Sequence, residues 1–190
     1  MAEETQTAPR IIVAFQDYIP SFDAEKAIRR MLRTVPPQYL WGLHAIVLTN
    51  MGSLSRKERD RRTRGRDRRI ALGQALGYYT QAWKGEPARI TLLLDNLEKQ
   101  WGGSWLRFGL TRDTILSNLL FHELGHHIHQ LHIPEHEGRE KVADKWSKKL
   151  RGKFLRHQYW YLLPLFYPFE RISRLGRKIA KQFRGIQAKP

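Results

Sequence analysis

Three side chains near the middle of the chain have the types and spacing of a metal site. Six of the eight histidines lie between residues 122 and 136, and His122-Glu123-Leu124-Gly125-His126 matches the pattern H-E-x-x-H. Histidines four residues apart lie one turn above each other on a helix, so both ring nitrogens can reach one ion. Glu123 would project beside them toward a bound water. The pattern therefore predicts a metal site with a carboxylate base next to it.

The residues around this pattern favour a metal over a structural histidine pair. No acidic or basic residue other than histidine occurs at 115–121 or 124–131, so His122, Glu123 and His126 are polar groups in an apolar helix. Such groups are costly to bury without partners, and a divalent cation would satisfy all three. The chain has no cysteine, so the metal must be held by histidine and carboxylate. We expect Zn²⁺.

A third ligand is expected from the next predicted helix. Glu140 begins that helix, and Asp144 follows one turn later on the same face. A carboxylate ligand at Glu140, with Asp144 accepting the outer N–H of a ligand histidine, is a usual arrangement around a metal. The competing interpretation is that both carboxylates face solvent among neighbouring lysines. We predict Glu140 as the third ligand and Asp144 as the residue that orients a histidine.

Two other histidines are alternative third ligands. His132 follows His122 by ten residues, the spacing of the metzincin pattern, but His129 stands where that pattern has glycine. All three methionines precede the helix, which excludes a downstream Met-turn. His136 lies just before the next helix and is the second alternative, together with the neighbouring carboxylate of Glu137. Tyr78, Tyr79, His129 and the tyrosines within 157–169 are candidates for stabilising a developing oxyanion.

Periodicity and turn residues predict the elements that must position these groups. The expected strands and helices are a strand within 10–19, a helix from Ser21 or Asp23 to Arg33, a strand at 40–48, a hairpin of 75–80 with 88–94, a buried helix capped by Thr111 that runs to Leu131, and a helix from Arg139 into the 150s. This order of elements is typical of an α+β fold.

At these residues the sequence resembles the zincin metallopeptidases. The stretch 122–126 followed by Glu140-x-x-x-Asp144 is similar to the gluzincin pattern and to compact cytosolic metallopeptidases of the ImmA/IrrE type. A SprT-like protease, for which a third histidine is expected, is a less close match. The resemblance implies a small mixed β-sheet packed on the buried H-E-x-x-H helix. It also implies an edge strand along the cleft that holds an extended substrate, and 88–94 is expected to be that strand.

The resemblance further implies a zinc-dependent endopeptidase that acts on a protein or peptide substrate. In that activity Glu123 takes a proton from the attacking water and returns it to the leaving amine. The chain departs from such relatives in its arginine-rich insert at 53–70 and in its basic, aromatic end, and it has no recognisable helix-turn-helix domain. The alternative is a non-catalytic, metal-stabilised module that binds nucleic acid or an anionic membrane through its basic segments.

The positive charge is concentrated in two segments. The chain has 34 Lys and Arg against 18 Asp and Glu, a net charge of +16, and residues 56–69 and 145–190 carry all of this excess. A solvated surface is one interpretation, and contact with phosphates of nucleic acid or with anionic lipid is the other. The aromatic residues at 157–169 would pack on the domain or a dimer partner, or would anchor the chain at a membrane interface.

Two domains and a cytoplasmic location are expected. We predict a zincin-like metallopeptidase domain at 1–150, including the insert 53–70, and a basic aromatic helical extension at 151–190. No apolar run approaches the length of about 20 residues that spans a bilayer, which excludes an integral helical membrane protein. The acidic N-terminus lacks the features of a secretory signal. The expected location is the cytoplasm, with peripheral membrane association as an open alternative.

Overall fold

The computed structural model of this chain describes residues 8–64, 69–132 and 139–162. In these ranges the strands are β1 (Arg10–Ala14), β2 (Leu43–Thr49), β3 (Arg62–Arg64), β4 (Arg69–Ala71), β5 (Gly77–Thr80) and β6 (Ala88–Leu93). The α-helices are α1 (Ala24–Leu32), α2 (Arg56–Asp60), α3 (Leu94–Trp101), α4 (Gly103–Leu106), α5 (Gly109–His132) and α6 (Arg139–Gln158). The predicted α+β class and mixed sheet are confirmed.

Four of these strands form one mixed sheet in the order β1-β2-β6-β5. β1, β2 and β6 are parallel, and β5 pairs antiparallel with β6, with Gly77 opposite Leu92. The predicted hairpin is therefore confirmed. Its turn includes Lys84 and Gly85, both with positive φ, which the glycine adopts without strain.

The expectation that residues 88–94 form the edge strand along the cleft is wrong. β6 lies between β2 and β5, and the strand at that edge is β5. All residues of β6 except Arg89 are buried, as expected for a strand with structure on both of its faces. Leu94 is the first residue of α3 rather than part of the strand.

Helix α5 packs against one face of this sheet through its apolar side chains. Leu116, Leu120, Leu124 and Ile128 are all fully buried, as predicted for this helix. The helix begins at Gly109, two residues before the predicted cap at Thr111. The preceding helices α3 and α4 were not predicted, because their short segments carry little periodic signal.

Helix α1 is fastened to the start of α5. Asp23 caps α1 by accepting a hydrogen bond from the Lys26 amide at 2.8 Å, and this N-cap was one of the two predicted. Arg30 of α1 forms a 2.5 Å ion pair with Asp113, which is fully buried on α5. A buried carboxylate requires such partners, so this pair sets the position of α1 along α5.

The basic insert contains local structure in its described part. Ser55 and Glu58 form a capping box at the start of α2, and β3 pairs antiparallel with β4. All residues from Ser55 to Arg62 are exposed, which is compatible both with a solvated surface and with contact to an anionic partner.

The chain divides into two compact units, Met1–Phe154 and Leu155–Pro190. The predicted helical extension at 151–190 stays a prediction beyond residue 162, because those residues lie outside the described ranges. Among the residues that the structure describes, no helix is both long enough and apolar enough to cross a bilayer.

Candidate metal centre

Helices α5 and α6 bring three of the predicted metal ligands together. The Nε2 atoms of His122 and His126 are 3.2 Å apart, and the Glu140 carboxylate oxygens lie 3.4 Å from the first and 3.7 Å from the second. Ligands held about 2.1 Å from a tetrahedral ion lie about 3.4 Å from one another. The spacing of these atoms therefore fits a single ion among them, and the three residues form a candidate metal-binding triad.

Asp144 lies behind the triad, against the far side of the His122 ring. Its Oδ1 atom is 3.1 Å from Nδ1 of His122, so Nδ1–H donates to the carboxylate. A proton held on Nδ1 leaves the Nε2 lone pair available to a metal. The structure thus brings together the three predicted ligands and Asp144, which the sequence predicts to orient a ligand histidine.

The alternative ligands lie at the edge of the described structure. His132 is the last residue of α5, but its side chain and the whole of His136 lie outside the described residues. His129 is buried, with 2% of its surface exposed.

Glu123 is buried next to the triad, with 7% of its surface exposed. Burial and, to a smaller extent, the negative charge of Glu140 together raise the pKa of Glu123 to about 8. The backbone N–H of Tyr79 donates to the Glu123 carboxylate and acts in the opposite direction. In the absence of a cation, Glu123 therefore holds a proton near neutral pH.

The register of β5 makes that N–H available to Glu123. Tyr79 lies opposite Ile90, and three residues earlier on β5's side of the ladder the Leu93 amide donates to the Leu76 carbonyl, which fixes which pairs are hydrogen-bonded. Hydrogen-bonded and non-hydrogen-bonded pairs alternate along an antiparallel ladder, so the Tyr79 amide points away from β6. The edge strand therefore positions the candidate base through its backbone.

His127 points away from the triad and joins three segments. Its Nε2 atom lies 2.9 Å from the Trp41 carbonyl, which can only accept, so Nδ1 accepts from the Tyr79 hydroxyl at 3.1 Å. Burial raises the pKa of Tyr79 to about 12, which keeps this hydroxyl protonated. The Tyr78 hydroxyl bonds to Thr91 instead. Tyr78 and Tyr79, two of the candidates for oxyanion stabilisation, thus have partners outside the triad.

Sequence reasoning missed the role of Gly125 between the two histidines. A Cβ atom at Gly125 would lie 2.7 Å from both Cα and O of Ala143 on α6. Only glycine permits this close approach of the two backbones, which brings the first turns of α6 to His122. A glycine inside an apolar helix, together with an alanine on the following helix, is the sequence pattern that could have predicted this close helix contact.

Comparison of the chain with protein-family models, with curated proteins and with solved structures finds no match. The function must therefore be argued from the candidate metal centre itself.

Proposed function

We propose that this protein is a zinc-dependent endopeptidase of the zincin type. The observation that carries the proposal is the triad His122, His126 and Glu140 with a buried glutamate, Glu123, directly beside it. Two imidazoles and one carboxylate are a common protein ligand set of catalytic zinc, which leaves a further position for water or substrate.

The ligand chemistry favours zinc or another transition metal over magnesium and calcium. Imidazole suits zinc and other transition metals, whereas magnesium and calcium prefer an all-oxygen environment. When bound, zinc supplies a Lewis acid that polarises a carbonyl and lowers the pKa of water to about 7. His122, His126 and Glu140 would hold it, and Asp144 would keep His122 in the ligating tautomer.

Glu123 is the proposed general base. A cation beside Glu123 favours its carboxylate form, which offsets the effect of burial on its pKa. Glu123 then accepts a proton from water as the water attacks the peptide carbonyl, and delivers that proton to the leaving amine. The hydrogen bond from the Tyr79 amide orients the carboxylate during both transfers.

The proposed substrate is an extended segment of a protein or peptide along β5. β5 is the edge strand next to Glu123, and the amide of Tyr79 already faces that side. An extended chain beside an exposed strand edge forms backbone hydrogen bonds with little dependence on side-chain identity.

The presence of Glu123 favours a peptidase over the non-catalytic module. A purely structural zinc site is closed and does not require a base beside the metal. The exposed basic residues of α2 are compatible with either function, since an enzyme can also bind an anionic partner.

The central experiment replaces Glu123 with glutamine. Glu123→Gln should keep about one zinc per chain by mass spectrometry and lose at least about 100-fold in cleavage of a quenched-fluorescence peptide library, since an amide cannot accept the proton. Glu86→Gln, an exposed residue in the hairpin turn, is the matched control and should retain full activity. Undiminished cleavage by Glu123→Gln would remove Glu123 from the mechanism, and a folded, active protein without metal would refute the proposal.

A further inference from the structure

The exposed residues of α6 in the first compact unit are all lysine. Within residues 140–154, five residues are exposed, and they are Lys141, Lys145, Lys148, Lys149 and Lys153. At about 3.6 residues per turn they lie within an arc of roughly 140° and extend over about 18 Å of the helix. We call these five residues the lysine face. It is a continuous strip of positive charge on one side of α6.

The opposite face of α6 holds the helix on the core. The rings of Phe154 and Phe121 have centroids 6.2 Å apart, and the Ser147 hydroxyl donates to the Asn118 carbonyl at 3.2 Å. Phe154 and Ser147 are both buried. The contacts that hold α6 on α5 are therefore made by the face opposite the lysines.

The spacing of the lysines lowers the stability of the helix. Lys141, Lys145, Lys149 and Lys153 follow one another four residues apart, where like charges repel. Lys148 lies three residues after Lys145 and adds a further repulsive pair. An anionic partner would relieve this repulsion, which the packing of α6 does not require.

Neighbouring acidic residues do not neutralise the lysine face. Glu140 and Asp144 are the acidic residues of 140–154, and their carboxylates lie 3.4 Å and 3.1 Å from the ring nitrogens of His122. Among the described residues, no ion pair joins a carboxylate to a member of the lysine face. With Arg151 counted, six basic residues against two acidic ones leave 140–154 with a net charge of +4. The charge stays positive even when both carboxylates are included.

We propose that the lysine face binds the phosphate backbone of a nucleic-acid duplex without reading its sequence. A DNA duplex carries about one negative charge per 1.7 Å of its axis, so about 18 Å of α6 would lie beside roughly ten phosphates. Lysine contacts phosphate as a point charge, and the release of counterions drives the binding. Phosphate contacts carry no sequence information. The inference is independent of the proposed peptidase activity.

A duplex suits the lysine face better than a single strand does. Sites for single strands stack the bases on aromatic side chains. Trp146, beside the lysine face, is half-buried: its ring packs against Tyr39 with centroids 4.8 Å apart, and Nζ of Lys149 lies 4.5 Å from the ring centroid. Residues 140–154 thus expose charge for phosphates and no aromatic ring for stacking.

The lack of exposed apolar side chains on 140–154 favours nucleic acid over a bilayer or another protein. A helix that lies on a bilayer inserts an apolar face beside its cations. Protein interfaces concentrate aromatic residues and are poor in lysine. Every exposed residue of this part of α6 is a lysine, which matches a partner that offers only negative charge.

The test measures binding of the full-length protein to two labelled DNA duplexes of about 20 base pairs and unrelated sequence, by fluorescence anisotropy between about 50 and 200 mM NaCl. The wild type should bind both duplexes with similar affinity. A triple variant, Lys145→Gln with Lys148→Gln and Lys153→Gln, should bind at least about 10-fold more weakly. Its plot of log affinity against log salt should be shallower by about 2–3, since each phosphate contact adds about 0.9 to the slope.

A second triple variant is the matched control for net charge. Lys26→Gln, Lys84→Gln and Lys99→Gln change exposed lysines on α1, in the β5–β6 turn and on α3, and remove the same three charges. The control should bind within about 3-fold of the wild type, because these lysines lie outside the lysine face. The first triple variant should unfold at a temperature no lower than the wild type, since its repulsive pairs are lost.

Several outcomes would overturn the proposal. Equal affinity of the two triple variants would assign duplex binding to another basic segment, such as 56–69. Absence of wild-type binding at the lowest salt, or tighter binding of the corresponding single strands, would refute the role of a duplex. Weaker binding to phosphatidylglycerol vesicles with unchanged duplex binding would assign the lysine face to a membrane. If the first triple variant unfolds, Lys148→Gln replaces it: a slope shallower by about 0.9 supports the proposal, and an unchanged slope overturns it.

Discussion

Glu140 is the only member of the candidate triad that comes from α6, so its contribution can be separated from that of the histidines. Glu140→Ala should leave two imidazole ligands and weaken zinc binding severely. Asp144→Asn should weaken binding by about 10–100-fold, since it changes only the partner of His122. His132→Ala and His136→Ala should have mild effects. Zinc affinity is measured by competition with a chromogenic chelator.

The histidine variants also decide the assignment. If His132→Ala or His136→Ala lowers zinc affinity as strongly as a loss of Glu140, the third ligand is an imidazole and the gluzincin-like assignment is wrong. The peptidase proposal would survive that result, because Glu123 would still lie beside the metal.

Glu123 should make the stability of the metal-free protein depend on pH. Its pKa is about 8 in the folded chain against an ordinary value of 4.5, so the folded state holds a proton that the unfolded state releases. The free energy of unfolding should therefore fall as pH rises between these two values, by roughly 3–5 kcal/mol in total from this group. Glu123→Gln should lack this contribution. Urea unfolding of chelator-treated proteins at several pH values between these limits measures the difference.

The comparison of wild type with Glu123→Gln isolates the contribution of Glu123, because the other titrating groups are present in both proteins. Parallel curves for wild type and Glu123→Gln would show that the burial of Glu123 does not shift its pKa. A gap that widens with pH supports the buried, protonated carboxylate.

At the scale of elements, the distance between α5 and α6 determines whether Glu140 reaches the histidines. Gly125→Ala would place a methyl group 2.7 Å from the backbone of Ala143, and backbone atoms cannot yield as a flexible side chain can. α6 must therefore shift away from His122. We expect a loss of about 1–3 kcal/mol in the free energy of unfolding and a clear loss of zinc affinity. Thermal unfolding and metal titration measure both effects.

Gly152 on α6 provides the matched control for that substitution. A Cβ atom there would have no neighbour within 4 Å, so Gly152→Ala should leave zinc binding unchanged and stabilise the helix by up to about 1 kcal/mol. If Gly125→Ala binds zinc as well as Gly152→Ala does, the close helix contact is not required for the metal site.

At the scale of the whole molecule, the net charge of +16 should limit stability at low ionic strength. Like charges repel more strongly in the compact state, and salt screens that repulsion over a Debye length of about 8 Å at 0.15 M. The thermal midpoint should rise by roughly 2–4 °C as sodium chloride is raised to about 0.15 M, equivalent to about 1 kcal/mol. Scanning calorimetry measures the shift.

A charge variant tests the origin of this effect. Arg61 and Arg62 are exposed in the basic insert, and replacing both with glutamate should reduce the dependence of the midpoint on salt. A midpoint that falls as salt is added would mean that attractive ion pairs outweigh the repulsion.

Local patterns were sufficient to predict the features that depend on nearby residues. The helix over 122–126 and the facing rings of His122 and His126 follow from the period of the α-helix and from apolar flanks. The hairpin of β5 and β6 follows from β-prone segments around a turn with glycine and proline. These features involve short separations along the chain, so composition and spacing determine them.

The tertiary structure alone decided which distant groups meet. It made β6 an interior strand and β5 the edge, because strand order depends on pairing between segments far apart in sequence. It directed the Tyr79 amide to Glu123 through the register of that edge strand. It also brought Glu140 to the histidines through the contact of Gly125 with Ala143. Spacing along the chain predicts Glu140 as a ligand. Only the packing of α6 on α5 determines the distance between its carboxylate and the two histidines.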